Sequence, residues 1–159
     1  MTDLAENKVV QTLTPQEIEA AQGSAANPFP VIHTVANGYY TRTGFIPAGL
    51  IEIGTVHQKE NIFHVHCGRL ALWDNVHGLR LITGPYTEKS PVGIRRIALA
   101  LSNVEGCNIL ETTAASWEEA EREMFGPYSP PESLGQKLID LANFAGVPLQ
   151  LQNRNEKPA

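Results

Sequence analysis

Cysteine is scarce in this 159-residue chain: Cys67 and Cys107 stand forty positions apart and belong to no CxxC pair. That excludes a cysteine-based zinc knuckle and a disulfide framework, and leaves two reduced thiols in a reducing compartment as the expectation. Basic residues are also few. Twelve Lys and Arg stand against seventeen Asp and Glu, a formal charge of −5, and only Arg95-Arg96 form a pair. Nucleic acid, which demands a basic patch, is therefore not an expected partner. No apolar run approaches the ~20 residues needed to cross a bilayer, so no membrane association is expected. The opening MTDLAENKVVQTLTPQ has neither a basic n-region nor an apolar core, so no signal peptide is expected either. There is no Gly-x-Ser-x-Gly elbow, no phosphate-cradling glycine loop and no motif around either cysteine, which leaves nucleophilic and phosphoryl-transfer chemistry without support. Internal repeats and low-complexity tracts are absent as well.

What the chain has is β-patterning. Its length fits one domain of roughly 100–200 residues, and its 42% apolar content suffices for a soluble core. From Val31 to Thr113, short runs rich in Val, Ile, Thr and aromatics alternate with Gly, Pro and Asn breaks: VIHTVA, YYTRTGFIP, LIEIGTVH, NIFHVHCG, RLALWDN, LRLITGP, GIRRIALALSN and CNILETT. Seven or eight strands at this spacing predict a sandwich or small barrel. RLALWD and LRLITG, joined by NVHG, predict a hairpin.

Helices flank this region. Thr14-Pro15-Gln16-Glu17 forms a capping box that predicts a short N-terminal helix to about Gln22, followed by a linker over Ser24–Pro30. Ser116 with Glu119 forms a second box, predicting a helix that stops at Gly126. A rigid PYSPPES turn follows. The last helix places Leu134, Leu138, Leu141 (or Ile139) and Phe144 on one face and ends at Gly146. The expected organisation is an N-terminal arm over residues 1–30, a β-domain over 31–113, and a helical extension with a polar tail over 114–159.

Three histidines fall within ten residues, His57, His64 and His66, ahead of a glycine turn at Gly68; a Pro-x-Gly turn follows at Pro91-Val92-Gly93, in PVGIRR. These motifs, together with the strand pattern over Phe45–Thr113, resemble the cupin family, and within it small cupin-like proteins encoded by bacteriophages. The resemblance implies a mainly β fold, a cupin-like jelly roll (double-stranded β-helix). It also implies a pocket at the positions where cupins place their metal ligands, here Thr55, His57, Asn61 and Arg96. Of these only His57 is a good ligand. Arg96 replaces the histidine of the second motif, and a guanidinium stays charged and has no lone pair to offer. Its charge would oppose a divalent ion by several kcal/mol at short range. No cofactor is therefore expected; the alternative is a divalent transition metal on His57, Glu60 and Glu111, or less readily on His64 and His66.

In strand register His64 and His66 share a face opposite Asn61, Phe63 and Val65, which places them outside the barrel if the apolar pair lines it. His33 and His77 are expected to be surface or locally bonded residues. Tyr39-Tyr40, Trp73 and Tyr86 are expected to pack in sheets, and the acidic run over Trp117–Glu123 to form a solvated helix face. Glu60 or Glu111 would compensate Arg96, because a buried charge persists only when paired.

Three functions are consistent with this sequence. Given the lost ligands and the phage-type resemblance, the first expectation is a non-enzymatic structural module, a virion or assembly component. It would form a homo-oligomer, contact other virion proteins, and reside in the virion or the host cytoplasm. A metal-dependent cupin enzyme acting on a small sugar or carboxylic acid is the alternative. The third is a metal-free binder that holds a small anionic ligand on Arg96.

Overall fold

The computed structural model describes residues 31–126 and 135–146 of the chain. The helix expected to about Gln22, the linker after it, the 127–133 turn and the polar tail lie outside the described residues.

The strands nest around one hairpin tip. β5 (Arg69–Asp74) and β6 (Gly78–Thr83) meet at the turn the sequence predicts. Outward from that tip, β4 (Asn61–Cys67) pairs with β7 (Tyr86–Ser90), β3 (Ile51–Ile53) with β8 (Arg96–Ala100), and β2 (Tyr39–Ile46) with β9 (Val104–Glu111), all antiparallel. The chain is thus one long antiparallel ribbon, coiled so that successive pairs fall in alternate sheets. β1 (Val31–Ala36) adds an edge strand, giving sheets of order β1-β2-β9-β4-β7 and β3-β8-β5-β6. Lateral pairing of β4 with β9 and of β5 with β8 closes the coil. This is the double-stranded β-helix expected.

Local chemistry fixes the bends. At the tip, Asp74 Oδ1 accepts the backbone N–H groups of Val76 (2.9 Å) and His77 (2.6 Å), an Asx-type turn that folds the ribbon back. Asn37 and Gly38 both take positive φ, as a two-residue β1–β2 hairpin requires. Gly68 has φ 99°, and a Cβ there would collide with the Asn103 carbonyl oxygen, so the glycine of the first motif is a steric necessity.

Apolar side chains form three clusters. Inside the barrel, Ile46, Val65, Leu70, Leu72, Ile82, Ala100 and Val104 fill one end. On the outer face of the four-stranded sheet, Ile51, Ala71, Ile97 and Leu99 are covered by Leu138, Leu141 and Ala142 of a C-terminal helix; that helix is labelled α2 (Gly135–Ala145). Within β5 and β8, residues 70–73 and 97–100 pack on both faces of that sheet, which accounts for the unbroken apolar runs of these two strands. The third cluster seats α1 (Trp117–Phe125), whose Ala120 and Met124 pack on Tyr40 and Leu110. Ser116 Oγ caps α1 by accepting the Glu119 N–H, and the Gly126 N–H closes its end on the Arg122 carbonyl, both as the sequence predicts.

Two expectations are corrected. The strand β7, YTEKS, lies in a stretch that carries no apolar alternation, and its inward residues Tyr86, Glu88 and Ser90 are polar. Phe144 is 44% exposed rather than on the buried stripe of α2, which runs through Leu138, Leu141 and Ala142. Leu138→Ala should therefore cost about 2–5 kcal/mol, whereas Phe144→Ala should change stability by less than about 0.5 kcal/mol. Urea unfolding of both variants checks this, and equal losses would place the helix in a different rotation.

Candidate functional site

The two motifs meet through backbone bonds. The His57 N–H donates to the Ile94 carbonyl (3.0 Å) and the Gly93 N–H donates to the His57 carbonyl (2.8 Å), while the Gly54 N–H donates to the Arg96 carbonyl (2.9 Å). Gly93, at φ 89°, supplies the left-handed residue of the Pro-x-Gly turn. The loop carrying His57 is thereby clamped beside the start of β8, and His57 and Arg96 are both buried.

Arg96 enters the barrel. Its side chain is only 8% exposed, its guanidinium lies 4.3 Å from the Phe63 ring centroid, and Nη2 donates to Glu88 Oε1 at 3.0 Å. Its Nε and Nη1 are buried without a hydrogen-bond partner among the described residues. Glu88 is also held by Arg80 in a two-pronged pair, Nη1 to Oε2 at 2.8 Å and Nη2 to Oε1 at 2.9 Å, and by the Tyr86 hydroxyl at 2.8 Å. Arg80 Nη2 reaches on to Asp74 Oδ2 at 2.8 Å. Burial alone would raise the Glu88 pKa, but Arg80, Tyr86 and Arg96 together pull it down to about 2. Burial also pushes the Arg96 pKa down, and Glu88 opposes that shift.

On the other side of Arg96 stands a neutral polar group. Asn61 Nδ2 donates to the Lys59 carbonyl (3.0 Å), which can only accept, so the same amide nitrogen also faces His57 Nδ1 at 2.8 Å. His57 Nδ1 is thus the acceptor, and the imidazole proton resides on Nε2. Asn61 Oδ1 accepts from Asn108 Nδ2 at 3.1 Å. Burial first, then Arg96 and Arg42, hold the His57 pKa down at about 4. Phe125, the last residue of α1, stands edge-on to His57 at 5.2 Å and lies 5.6 Å from the Arg42 guanidinium. Arg42 lies 4.0 Å from Glu52 and 3.4 Å from Glu121.

His57, Asn61 and Arg96 therefore converge as expected, and Thr55 lies half-buried in the loop after β3. The carboxylates chosen from sequence do not join them. Glu60 is 63% exposed and pairs with Lys89, and Glu111 is exposed at the end of β9. Glu88 takes the compensating role instead. His64 and His66 lie on the outer face of β4, His64 Nδ1 bonded to Thr87 Oγ1 at 2.7 Å. His33 is more than a surface residue: it stacks on Trp117 at 4.0 Å and shares a 2.7 Å hydrogen bond with Tyr40, tying α1 to the barrel. The acidic face of α1 is likewise engaged, with Glu123 accepting from Thr112 Oγ1 and Glu121 near Arg42.

The residues at the cupin ligand positions do not fit a divalent metal. The one nitrogen acceptor, His57 Nδ1, is taken by an amide N–H, and two guanidiniums bear on the same imidazole. Asp74, His77 and Glu88 do bring ligand atoms within 4.8 Å of one another, but Arg80 already occupies both carboxylates. No helix among the described residues is long and apolar enough to cross a membrane.

No family model and no curated protein matches the chain. Solved structures do. The DMSP lyase DddQ from Ruegeria pomeroyi aligns at 14% identity with a TM-score of 0.50, over 65% of this chain and 56% of that enzyme. An RmlC-like cupin with a double-stranded β-helix fold from Methanocaldococcus jannaschii aligns at 10% identity and 0.46, over 56% and 84%. KdgF from a Halomonas species aligns at 11% and 0.46, over 54% and 82%. At these identities the likeness is one of fold, the cupin jelly roll, and none of these three is described as a viral protein.

Glu88→Gln removes the charge between the buried Arg96 and the half-buried Arg80 and should cost about 3–5 kcal/mol in urea unfolding; a loss under about 1 kcal/mol would mean that the arginines do not depend on it. His57 gives a pH signature. Its folded pKa lies below the unfolded value near 6.5, so the stability of the neutral form is complete above pH 6.5. It is lost as pH falls from there to about 4, in total about 3 kcal/mol. His57→Gln should flatten that part of the stability profile.

Proposed function

We propose that this cupin barrel is a metal-free receptor for a small oxyanion, of the carboxylate or phosphate class, with Arg96 as its anchor. One observation carries the reading: a guanidinium 8% exposed, held from one side by Glu88, with Nε and Nη1 left without acceptors. A buried donor without an acceptor costs about 1–3 kcal/mol, and an oxyanion in the barrel supplies the missing oxygens as charge-assisted bonds. The surroundings agree. His57 offers a neutral Nε2–H donor, and Arg42 contributes a second cation whose Nε also lacks a hydrogen bond. The inner carboxylates Glu88 and Asp74 are already saturated by Arg80 and do not compete for the ligand.

In this reading the arginines stand where a cupin would place its ion. They bind and orient through N–H donors, and they supply no vacant orbital for Lewis-acid activation. A virion or assembly role, self-association and residence in a virion or host cytoplasm rest on the sequence resemblance alone.

Thermal unfolding in formate, acetate, phosphate and sulfate, against chloride at matched ionic strength, tests the proposal. At least one oxyanion should raise Tm in a saturable manner, and Arg96→Gln should abolish that rise. Stabilisation by manganese, nickel or zinc instead, lost in His57→Ala, would overturn it in favour of a metal site.

A further inference from the structure

The charged groups of the barrel are built in two different ways. In the inner group each carboxylate is hydrogen-bonded to a guanidinium: Glu88 to Arg80 and Arg96, Asp74 to Arg80, at 2.8–3.0 Å. The outer group of Arg42, Glu52 and Glu121 has no such closure. Glu52 stands 4.0 Å from Arg42 Nη1, and Glu121 3.4 Å from its buried Nε, neither as a hydrogen bond.

Glu52 is the unusual member. On β3, Ile51 and Ile53 pair with Leu99 and Ile97 and face α2, whereas Glu52 pairs with Ala98, which packs on the inner cluster. The register therefore turns Glu52 into the barrel. It accepts no hydrogen bond there among the described residues, and its charged neighbour is Arg42. Among the described residues, the groups around it are Arg42 from β2, Glu121 from α1 on the same guanidinium, and the uncharged Ala98 from β8. Arg96 and the neutral His57 belong to the same barrel, and Arg42 acts on that imidazole as well.

Resting on the oxyanion reading above, we propose that the anion enters this barrel together with one proton, which Glu52 takes up as the anion replaces it beside Arg42. The proton comes from solvent and binds a Glu52 carboxylate oxygen; no bond of the anion is made or broken. Three facts favour this exchange. A carboxylate without hydrogen-bond donors gives up its charge more readily than one held at 2.8 Å. The Glu52 side chain is 28% exposed; its partial burial raises its pKa and Arg42 opposes that shift, so an anion that engages Arg42 offsets the opposition and adds a like charge nearby. Finally, uptake of a proton keeps the charge inside the barrel unchanged when a monoanion binds. Glu52 is then an internal competitor that makes the site respond to pH.

Formate and sulfate are suitable probes because neither changes charge between pH 5.5 and 8. Titration calorimetry of the full chain in two buffers of different ionisation heat should show uptake of close to one proton per formate, with affinity falling by up to about tenfold per pH unit as pH rises. Glu52→Gln should bind formate more tightly at pH 8 and without pH dependence. The wild-type proton count needs no variant, so the proposal stays testable if Glu52→Gln fails to fold. Formate or sulfate binding that depends on Arg96 but takes up no proton would overturn the coupling and leave the oxyanion reading intact. Uptake that persists in Glu52→Gln would belong to His57 and would also overturn the assignment. Failure of both probes to bind at any pH would overturn the coupling and the oxyanion reading together.

Discussion

Glu88 is the residue on which the interior depends. It comes from β7, in the five-stranded sheet, and its two oxygens are held by Arg80 from β6 and Arg96 from β8, both in the four-stranded sheet. Asp74 of β5 extends the chain of charges on the far side of Arg80 and also folds the hairpin tip. One carboxylate thus links the two sheets, and one aspartate couples that link to the turn that begins the coil. Desolvating these groups is expensive, and short charge-assisted pairs to Glu88 and Asp74 offset that expense. Apolar packing fills the other end of the barrel, so the fold combines a dry end that drives collapse with a charged end that fixes which strands face each other.

The same arrangement makes the inner cations unequal. Arg80 spends its Nη1 and Nη2 on Glu88, Tyr86 and Asp74. Arg96 spends only Nη2, resting one face against Phe63. Pairing with Glu88 stabilises the charge of Arg96 without using up its donors, which is the feature the proposed anion reading rests on. Asn61 completes the pattern by fixing the His57 tautomer. An imidazolium there would stand beside two arginines, so the fold keeps the ring neutral.

Much of the fold was legible because strand alternation, the turn residues and the helix caps agree with one another. The second motif pointed to Arg96, whose side chain is buried, and strand alternation put His64 and His66 on the face opposite Phe63 and Val65. What was hidden follows from two physical circumstances. YTEKS does not read as a strand because its inward residues are polar rather than apolar, so Glu88 was invisible and nearer carboxylates, Glu60 and Glu111, took its place in the expectation. Glu52 was hidden by inversion. In a sheet with one wet face, Ile-Glu-Ile turns the acid toward solvent. Here α2 covers the outer face, the isoleucines pack beneath it, and the acid faces inward. Polarity along a strand reports which face is dry, and only the placement of α2 says which face that is. Arg42 escaped notice for a related reason: its neighbours in β2 are too mixed for the alternation to favour either face.

In the proposed reading, arginines standing where a cupin would place its ion also change how such a barrel can discriminate. A metal accepts lone pairs from many directions and exchanges its ligands, so its site is defined by a point. A guanidinium is planar, its donors are directional, and one side of Arg96 is already committed to Glu88. The remaining donors fix where oxygens can sit, and Phe63 limits approach from one face of the plane. Such a site favours an oxyanion with oxygens at set angles over a neutral polyol, whose hydroxyls would leave the charge uncompensated. The chemistry available follows from the same geometry. Arginines held by carboxylates stabilise negative charge already present on a ligand, and they are too basic to exchange protons with it near neutral pH. Glu52 and His57 are an acid and a base in this barrel that burial shifts toward the neutral form, one from each side. In the proposed reading, proton movement that accompanies binding therefore falls to these two groups rather than to the arginines.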